Sequence, residues 1–427
     1  MNTILYWIKR VIPPSLLNQL RPPYHFLLAY LGNLIYKHPS KDITVIAVTG
    51  TKGKSTVTEL ITAILEADGK KVASLSTIQF KIGDSVRRNL CKMTLPGRFF
   101  LQKFLRDAVD AHCEFAVVEM TSEGARQFRH RFIELDALVF TNLSPEHIES
   151  HGSFENYKAA KLSIAHQLEV SAKQPRYIIA NIDDEHGKDF LKVKVEEKLP
   201  YQLSQLKLYT LHKDGIGLII SDGDEEITLR VPLVGLFNVY NTLAAITLTR
   251  ALGVSLMTIE QALRSLKPIK GRVEHFYSSK ESSKQVTAIV DYAHTPDSLE
   301  QLYKAFKDVP KVCVLGNTGG GRDTWKRPEM AGIAERYCDH IILTNEDPYD
   351  EAPRKIVEEM AKGITDHSKL EIIMDRRLAI QTALQAAPDN GYVLISGKGT
   401  DPYIMGPYNT KQVWSDAEVV QEELAKL

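Results

Sequence analysis

Thr44-Val45-Ile46-Ala47-Val48-Thr49-Gly50-Thr51-Lys52-Gly53-Lys54-Ser55-Thr56 joins an apolar run to a turn rich in glycine and lysine. Residues 54–66 then repeat apolar side chains at helical spacing. A strand that turns through such a loop into a helix aims backbone N–H groups and a helix N-terminus at one point, which is a place for phosphate. Lys54 would neutralise the β- and γ-phosphates of a nucleotide, and Ser55 or Thr56 would reach a Mg²⁺. Val48 stands where the general eight-residue loop has its first glycine, so the motif alone could be a plain turn. Strand before and helix after favour nucleotide binding.

Outward from this loop, apolar runs at residues 72–76, 115–119 and 137–140 alternate with an amphipathic stretch at 99–111. The alternation predicts a mostly parallel sheet covered on both faces. A second series begins near Gly271, with strands at 287–290, 311–315, 340–343, 371–374 and 392–395 and helices at 298–306 and 330–337. It predicts a separate doubly wound domain. Between the two, residues 203–231 alternate apolar and polar positions around Asp222-Gly223 and read as a small inserted hairpin. The expected class is α/β: a central P-loop parallel-sheet ATPase domain over residues 42–270, a C-terminal Rossmann-like doubly wound domain over 271–427, and a short helical segment over 1–41.

That first segment carries Tyr6, Trp7, Ile8, Val11, Ile12, Leu16, Leu17 and Leu20, then the run 24–36. It reads as one or two amphipathic helices broken by Pro13, Pro14, Pro22 and Pro23. Such helices either cap the next domain or meet a membrane surface through Trp7, Lys9 and Arg10. The apolar run is too short to span a bilayer, and no cleavable signal is present.

Among the 427 residues, 53 are Lys or Arg and 53 are Asp or Glu, so no basic field points to nucleic acid. Cys91, Cys113, Cys313 and Cys338 are widely spaced, which fits buried thiols in a reducing compartment and a cytoplasmic location.

Several side chains carry chemistry. Residues 115–119 form an apolar strand ending in Glu119, a carboxylate at the edge where ligands of parallel sheets bind, and a hard metal wants such an oxygen. Thr141-Asn142-Leu143-Ser144-Pro145-Glu146-His147-Ile148-Glu149-Ser150-His151-Gly152 follows, then Tyr157-Lys158-Ala159-Ala160-Lys161. Taken singly, His147 reads as a hydrogen-bonded loop histidine and Lys161 as a solvent-facing helix lysine. Further on, Gly235-Leu236-Phe237-Asn238-Val239-Tyr240-Asn241 resembles a capped helix start. Arg272 stands at a domain joint, and Asp291 with His294 follows an apolar strand.

Together with the phosphate loop these stretches resemble the Mur ligases, especially the UDP-N-acetylmuramyl-tripeptide synthetase branch, over all but about the first 40 residues. The resemblance implies an ATP-dependent acid–amino-acid ligase of the cytoplasm, adding an amino acid to a muropeptide through an acyl phosphate. It implies catalytic roles for Lys54, Glu119, His147 and Lys161, with Lys161 carbamylated by CO₂. Nucleotide contacts fall to Gly50, Thr51, Lys52, Gly53, Lys54, Ser55, Thr56, Asn241, Arg272 and Asp291. Two Mg²⁺ sites would draw on Ser55, Glu119, His147 and Lys161, and the substrates would meet Thr94, His294, Asp347 and Lys398.

Three departures bear on substrate. Glu346-Asp347-Pro348-Tyr349 replaces the Asp-Asn-Pro-Arg of diaminopimelate enzymes, and Gly397-Lys398-Gly399-Thr400-Asp401 replaces their Gly-Lys-Gly-His-Glu. The stretch before the phosphate loop is also shorter than the family's UDP-holding domain. Lysine or another amine, a lipid-linked muropeptide, a folylpolyglutamate-synthetase-like acceptor and a non-catalytic nucleotide-binding role therefore stay open.

Overall fold

The structure is a computed structural model that describes residues 14–146, 148–222, 225–321 and 323–427. The chain forms two compact units, one from Met1–Gln202 with Leu243–Thr258 and the other from Leu203–Thr242 with Ile259–Leu427.

The first unit is built on eight strands: β1 (Thr44–Thr49), β2 (Val72–Leu75), β3 (Gln79–Ile82), β4 (Ser85–Arg88), β5 (Phe115–Glu119), β6 (Ala137–Phe140), β7 (Tyr177–Asn181) and β8 (Glu197–Tyr201). Their order is β4-β3-β2-β5-β1-β6-β7-β8. β1 lies in the middle, parallel to both β5 and β6, with Val48 beside Glu119. Alternation along β1 serves two cores. Val45 and Ala47 join Leu101, Phe104 and Leu105 of the helix Arg98–Asp110 and Ile164 and Leu168 of the helix Phe154–Glu169. Ile46 and Val48 are fully buried on the other face. The helix Lys54–Ala67 packs on β2 and β5. β3 and β4 form an antiparallel ribbon at one edge.

In the second unit β9 (Leu208–His212), β10 (Gly215–Asp222) and β11 (Glu225–Val231) make a three-stranded antiparallel sheet, where the sequence suggested a hairpin. The main sheet runs β12 (Glu274–Tyr277), β13 (Val286–Val290), β14 (Lys311–Leu315), β15 (His340–Leu343), β16 (Leu370–Ile372) and β17 (Gly391–Ile395). Its order is β12-β13-β17-β14-β15-β16, with only β12 antiparallel. Ile289, Cys313, Leu315, Ile341 and Leu394 face the helices Pro296–Ala305, Lys326–Tyr337 and Pro353–Ala361. Ala288, Val290, Val312, Val314 and Val393 face the helices Arg376–Ala386 and Asp416–Leu424. Two apolar faces on one parallel sheet are the doubly wound pattern.

Two expectations are corrected. The break expected at Pro22 and Pro23 does not occur: one helix runs Pro14–Ile35 with both prolines inside it. Each proline forgoes one helical hydrogen bond, and residues 21–24 around them are exposed. The cysteines are not all buried thiols. Cys313 and Cys338 form a disulfide with Cα atoms 6.1 Å apart, and Cys91 is exposed. The crossover helix Lys326–Tyr337 returns Cys338 to the strand that carries Cys313, a closure that a sequence separation of 25 conceals.

Candidate active site

The loop after β1 is shaped by its glycines. Gly50 has φ +148°, and a Cβ there would lie 1.9 Å from Thr141 Oγ1, so no larger residue fits. Gly53 starts the helix Lys54–Ala67 from the left-handed region, at φ 81°. The residues just after the neighbouring strand, β6, hold the loop from outside. Thr51 N donates to Asn142 O at 2.8 Å, Lys52 N donates to Asn142 Oδ1 at 2.9 Å, and Thr141 Oγ1 donates to Lys52 O at 2.6 Å. Lys54 folds back, its Nζ donating to Thr51 O at 2.8 Å. Ser55 and Thr56 are buried in the first helical turn.

Glu119 ends β5 beside this loop and is 2 % exposed. Its Oε2 accepts from Ser55 Oγ at 2.8 Å and from Thr77 N at 2.9 Å, and Thr77 Oγ1 lies 3.2 Å from both carboxylate oxygens. Thr77 Oγ1 in turn meets Thr94 Oγ1 at 2.7 Å, so the substrate-side threonine is linked to the carboxylate through one hydroxyl. Thr77 is a residue the sequence reading missed, although its place just after β2, at the same sheet edge, was the available signal. Glu59, one helical turn beyond Ser55, was missed too. It accepts from Ser76 Oγ and Gln79 Nε2, and burial, aided by the charge of Glu119, pushes its carboxyl up to about 7.

Lys161 overturns the reading as a solvent-facing lysine. It is 1 % exposed, its Nζ donates to Gly50 O at 2.6 Å, and it lies 4.8 Å from the ring centre of Tyr157. Burial first, then the charge of Lys54, hold its amine well below the usual lysine range, against the opposing pull of Glu146 and Glu119. Tyr157 OH bonds Thr51 Oγ1 at 2.9 Å, closing a ring from helix to loop. The structure thus brings Lys54, Ser55, Glu119 and Lys161 to one sheet edge. His147 lies outside the described residues, and among those described no three His, Cys, Asp or Glu side chains converge as a metal cluster. Ser55 Oγ and the Glu119 carboxylate are nonetheless paired hard oxygens of the kind that Mg²⁺ takes.

The second unit gathers its own residues at the carboxyl ends of β13, β14, β15 and β17. Asp291 accepts from Val273 N at 2.8 Å and Ala293 N at 2.7 Å, and burial raises its carboxyl against the charge of Arg272. The Arg272 guanidinium stacks 4.7 Å from the Tyr292 ring centre, and His294 Nδ1 lies 2.8 Å from Tyr292 O. Gly271 and Gly399 pass so closely that a Cβ on Gly271 would lie 2.6 Å from the Gly399 carbonyl carbon. Lys398 is fully buried, and its Nζ reaches Asp347 Oδ1 at 2.9 Å, Asp401 Oδ2 at 3.3 Å and Tyr403 O at 2.6 Å. Asn241, on the helix Leu236–Ala251, is buried and donates to Asn238 Oδ1 at 2.9 Å.

A phosphate loop backed by a buried carboxylate, in a chain that also carries a doubly wound unit with a buried lysine between acids, defines an ATP-dependent ligase. Residues 48–249 match the Mur ligase middle domain and residues 271–399 the Mur ligase, glutamate ligase domain. The UDP-N-acetylmuramoyl-L-alanyl-D-glutamate--2,6-diaminopimelate ligase of Syntrophomonas wolfei is 34% identical over 395 residues, which are 90% of this chain and 78% of that protein. The UDP-N-acetylmuramyl-tripeptide synthetase of Roseiflexus sp. is also 34% identical, over 99% of this chain and 86% of its own length. A solved UDP-N-acetylmuramoyl-L-alanyl-D-glutamate--2,6-diaminopimelate ligase superposes with a TM-score of 0.60 at 28% identity, covering 90% of this chain and 78% of that one. The chain belongs to the Mur ligase family.

Proposed function

We propose that this chain joins an amino acid to a muropeptide precursor of peptidoglycan, in the cytoplasm, with conversion of ATP to ADP and inorganic phosphate. The observation that carries the proposal is the 2.8 Å bond between Ser55 and Glu119 at the mouth of the phosphate loop. It ties a phosphate-facing hydroxyl to a carboxylate at the point where transfer would occur.

In this reading residues 42–270 handle ATP and the muropeptide, and residues 271–427 deliver the amine. ATP, the phosphoryl donor, is held by residues 50–56, with Arg272 reaching its phosphates and Asn241 and Asp291 on its adenine and ribose. Lys54 carries charge to the β- and γ-phosphates. The muropeptide carboxylate attacks the γ-phosphorus, ADP departs, and an acyl phosphate forms. The amine then attacks the acyl carbon through a tetrahedral intermediate, loses a proton, and expels inorganic phosphate. Exclusion of water protects the acyl phosphate until the amine arrives.

Mg²⁺ at two sites would offset repulsion between the carboxylate and the phosphates, with Ser55, Glu119, His147 and a carbamate on Lys161 as its ligands. The depressed amine of Lys161 favours that carbamate, because only a neutral amine adds to CO₂. Thr94 and His294 are assigned to the substrates, as are Asp347 and Lys398, whose buried pairing sets the charge of the amine end.

Titration of the purified chain with ATP and Mg²⁺ tests the nucleotide half of the proposal. Binding should fall roughly tenfold or more in Lys54→Met. Unchanged affinity would remove the phosphate loop from its assigned role.

A further inference from the structure

We propose that the exposed face of the helix Pro14–Ile35, together with Arg98 and Arg129 beside it, docks on a lipid surface bearing anionic phosphate headgroups. One side of this helix is fixed to the fold. Ala29 and Asn33 are 2 % and 7 % exposed, Gly32 lies against Phe99 and Gln102 of the helix Arg98–Asp110, and the Tyr36 carbonyl accepts from Arg106 Nε at 3.1 Å. The opposite side is apolar and uncovered. Tyr24, Leu27, Leu31 and Leu34 follow one another at steps of three, four and three and are 57 %, 53 %, 37 % and 41 % exposed. Phe26 and Tyr30 widen the patch by meeting Phe132 edge-on. An exposed apolar stripe of this length on a helix marks a surface that meets a partner.

The charge beside the patch says what covers it. Arg98 donates to the His25 ring, to Gln127 O at 2.9 Å and to Gln127 Oε1 at 3.3 Å, while Arg129 donates to the same Oε1 at 2.8 Å. No carboxylate pairs with either guanidinium among the described residues, and Arg129 Nε is buried without a partner. Burial and the neighbouring Arg98 draw Arg129 down to about 10, and burial with Arg98, Arg129 and Arg21 draws His25 down to about 4. Two cations are therefore crowded around one amide oxygen, next to an apolar stripe, with no carboxylate in hydrogen-bonding contact and only the more distant charge of Glu123 opposing them. A membrane interface of anionic lipid supplies both missing parts, acyl chains for the stripe and phosphates for the arginines. No described helix is long and apolar enough to cross a membrane, so the contact lies along the surface.

The test is sedimentation of the full chain with phosphatidylglycerol vesicles and, separately, with phosphatidylcholine vesicles. Binding to the anionic vesicles alone is expected, weakened roughly 30-fold in the double variant Arg98→Gln, Arg129→Gln at about 1 kcal/mol per arginine. Leu27→Ser with Leu31→Ser, which alters only exposed side chains, should abolish sedimentation while ADP release in solution stays unchanged. That readout separates this proposal from the ligase reading, on which it does not depend. Equal binding to neutral vesicles, or competition by inorganic phosphate without any vesicle binding, would overturn it. So would concentration-dependent dimers that the two serine substitutions dissolve, since the cover would then be a second copy.

Discussion

Ser55 Oγ donates to Glu119 Oε2 across 2.8 Å, so the first turn of the phosphate-loop helix is fastened to the end of the neighbouring strand. The hydroxyl and the carboxylate act on the same space, and their removal should not be additive. Glu119→Gln is expected to lower the rate of ADP release about 100-fold or more, as loss of a group that organises transition-state charge does. Ser55→Ala in that background should cost much less than it does alone. A full double-mutant cycle checks this, and strictly additive losses would mean that the two act independently.

Glu59 makes stability depend on pH. Its folded pKa of about 7 stands above the ordinary value of 4.5, so between those values the folded chain binds more protons than the unfolded one. Its contribution therefore falls as pH rises through that window and stays low above it. Glu59→Gln should stabilise the protein at pH 8 by up to about 3 kcal/mol and flatten the dependence between. Thermal unfolding at a series of pH values measures both.

Lys161 should respond to bicarbonate. With its amine held well below the usual lysine range, the neutral form that adds to CO₂ is more populated than in an ordinary lysine. Ligase turnover is expected to fall on removal of dissolved CO₂ and to recover on addition of bicarbonate, at pH 7 as well as at pH 9. Lys161→Arg, which keeps length and charge but cannot form the carbamate, should be inactive at either. Because burial holds the folded amine below its unfolded value, the unfolded chain binds more protons as pH approaches 10.5 from below, and the contribution of Lys161 to stability rises with pH there.

Lys398 separates a structural from a substrate role. Its Nζ is fully buried against Asp347, Asp401 and the Tyr403 carbonyl. Lys398→Met would leave buried acids without their cation, at a cost of about 3–5 kcal/mol. A lowered melting temperature before any substrate is added is the expected result. An unchanged melting temperature with a raised KM for the amine would instead make Lys398 a direct substrate contact.

Much of this architecture can be read from the chain because parallel strands buried on both faces appear as unbroken apolar runs. Residues 44–48, 115–119, 137–140, 311–315, 340–343 and 392–395 each became such a strand. The ribbon of β3 and β4 escaped notice because an edge is polar: all four residues of β4 are exposed. At the site, Gly50, Lys54, Ser55 and Glu119 were legible from strand ends and helix starts, which are local features. The burial of Lys161 was not, since it depends on a contact with Gly50 across a sequence separation of 111. Thr77 and the disulfide of Cys313 with Cys338 were hidden for the same reason, being set by which strands lie side by side.

The most direct test of the central claim is ADP release from the purified chain with Mg²⁺ and ATP, across a panel of amino acids. Each is paired with UDP-N-acetylmuramoyl-dipeptide, with its lipid-linked equivalent, or with a folate. Turnover that requires one muropeptide together with one amine is the predicted result and would name the substrate. Turnover with folate and neither muropeptide, or no acceptor-dependent ADP release at all, would contradict the account.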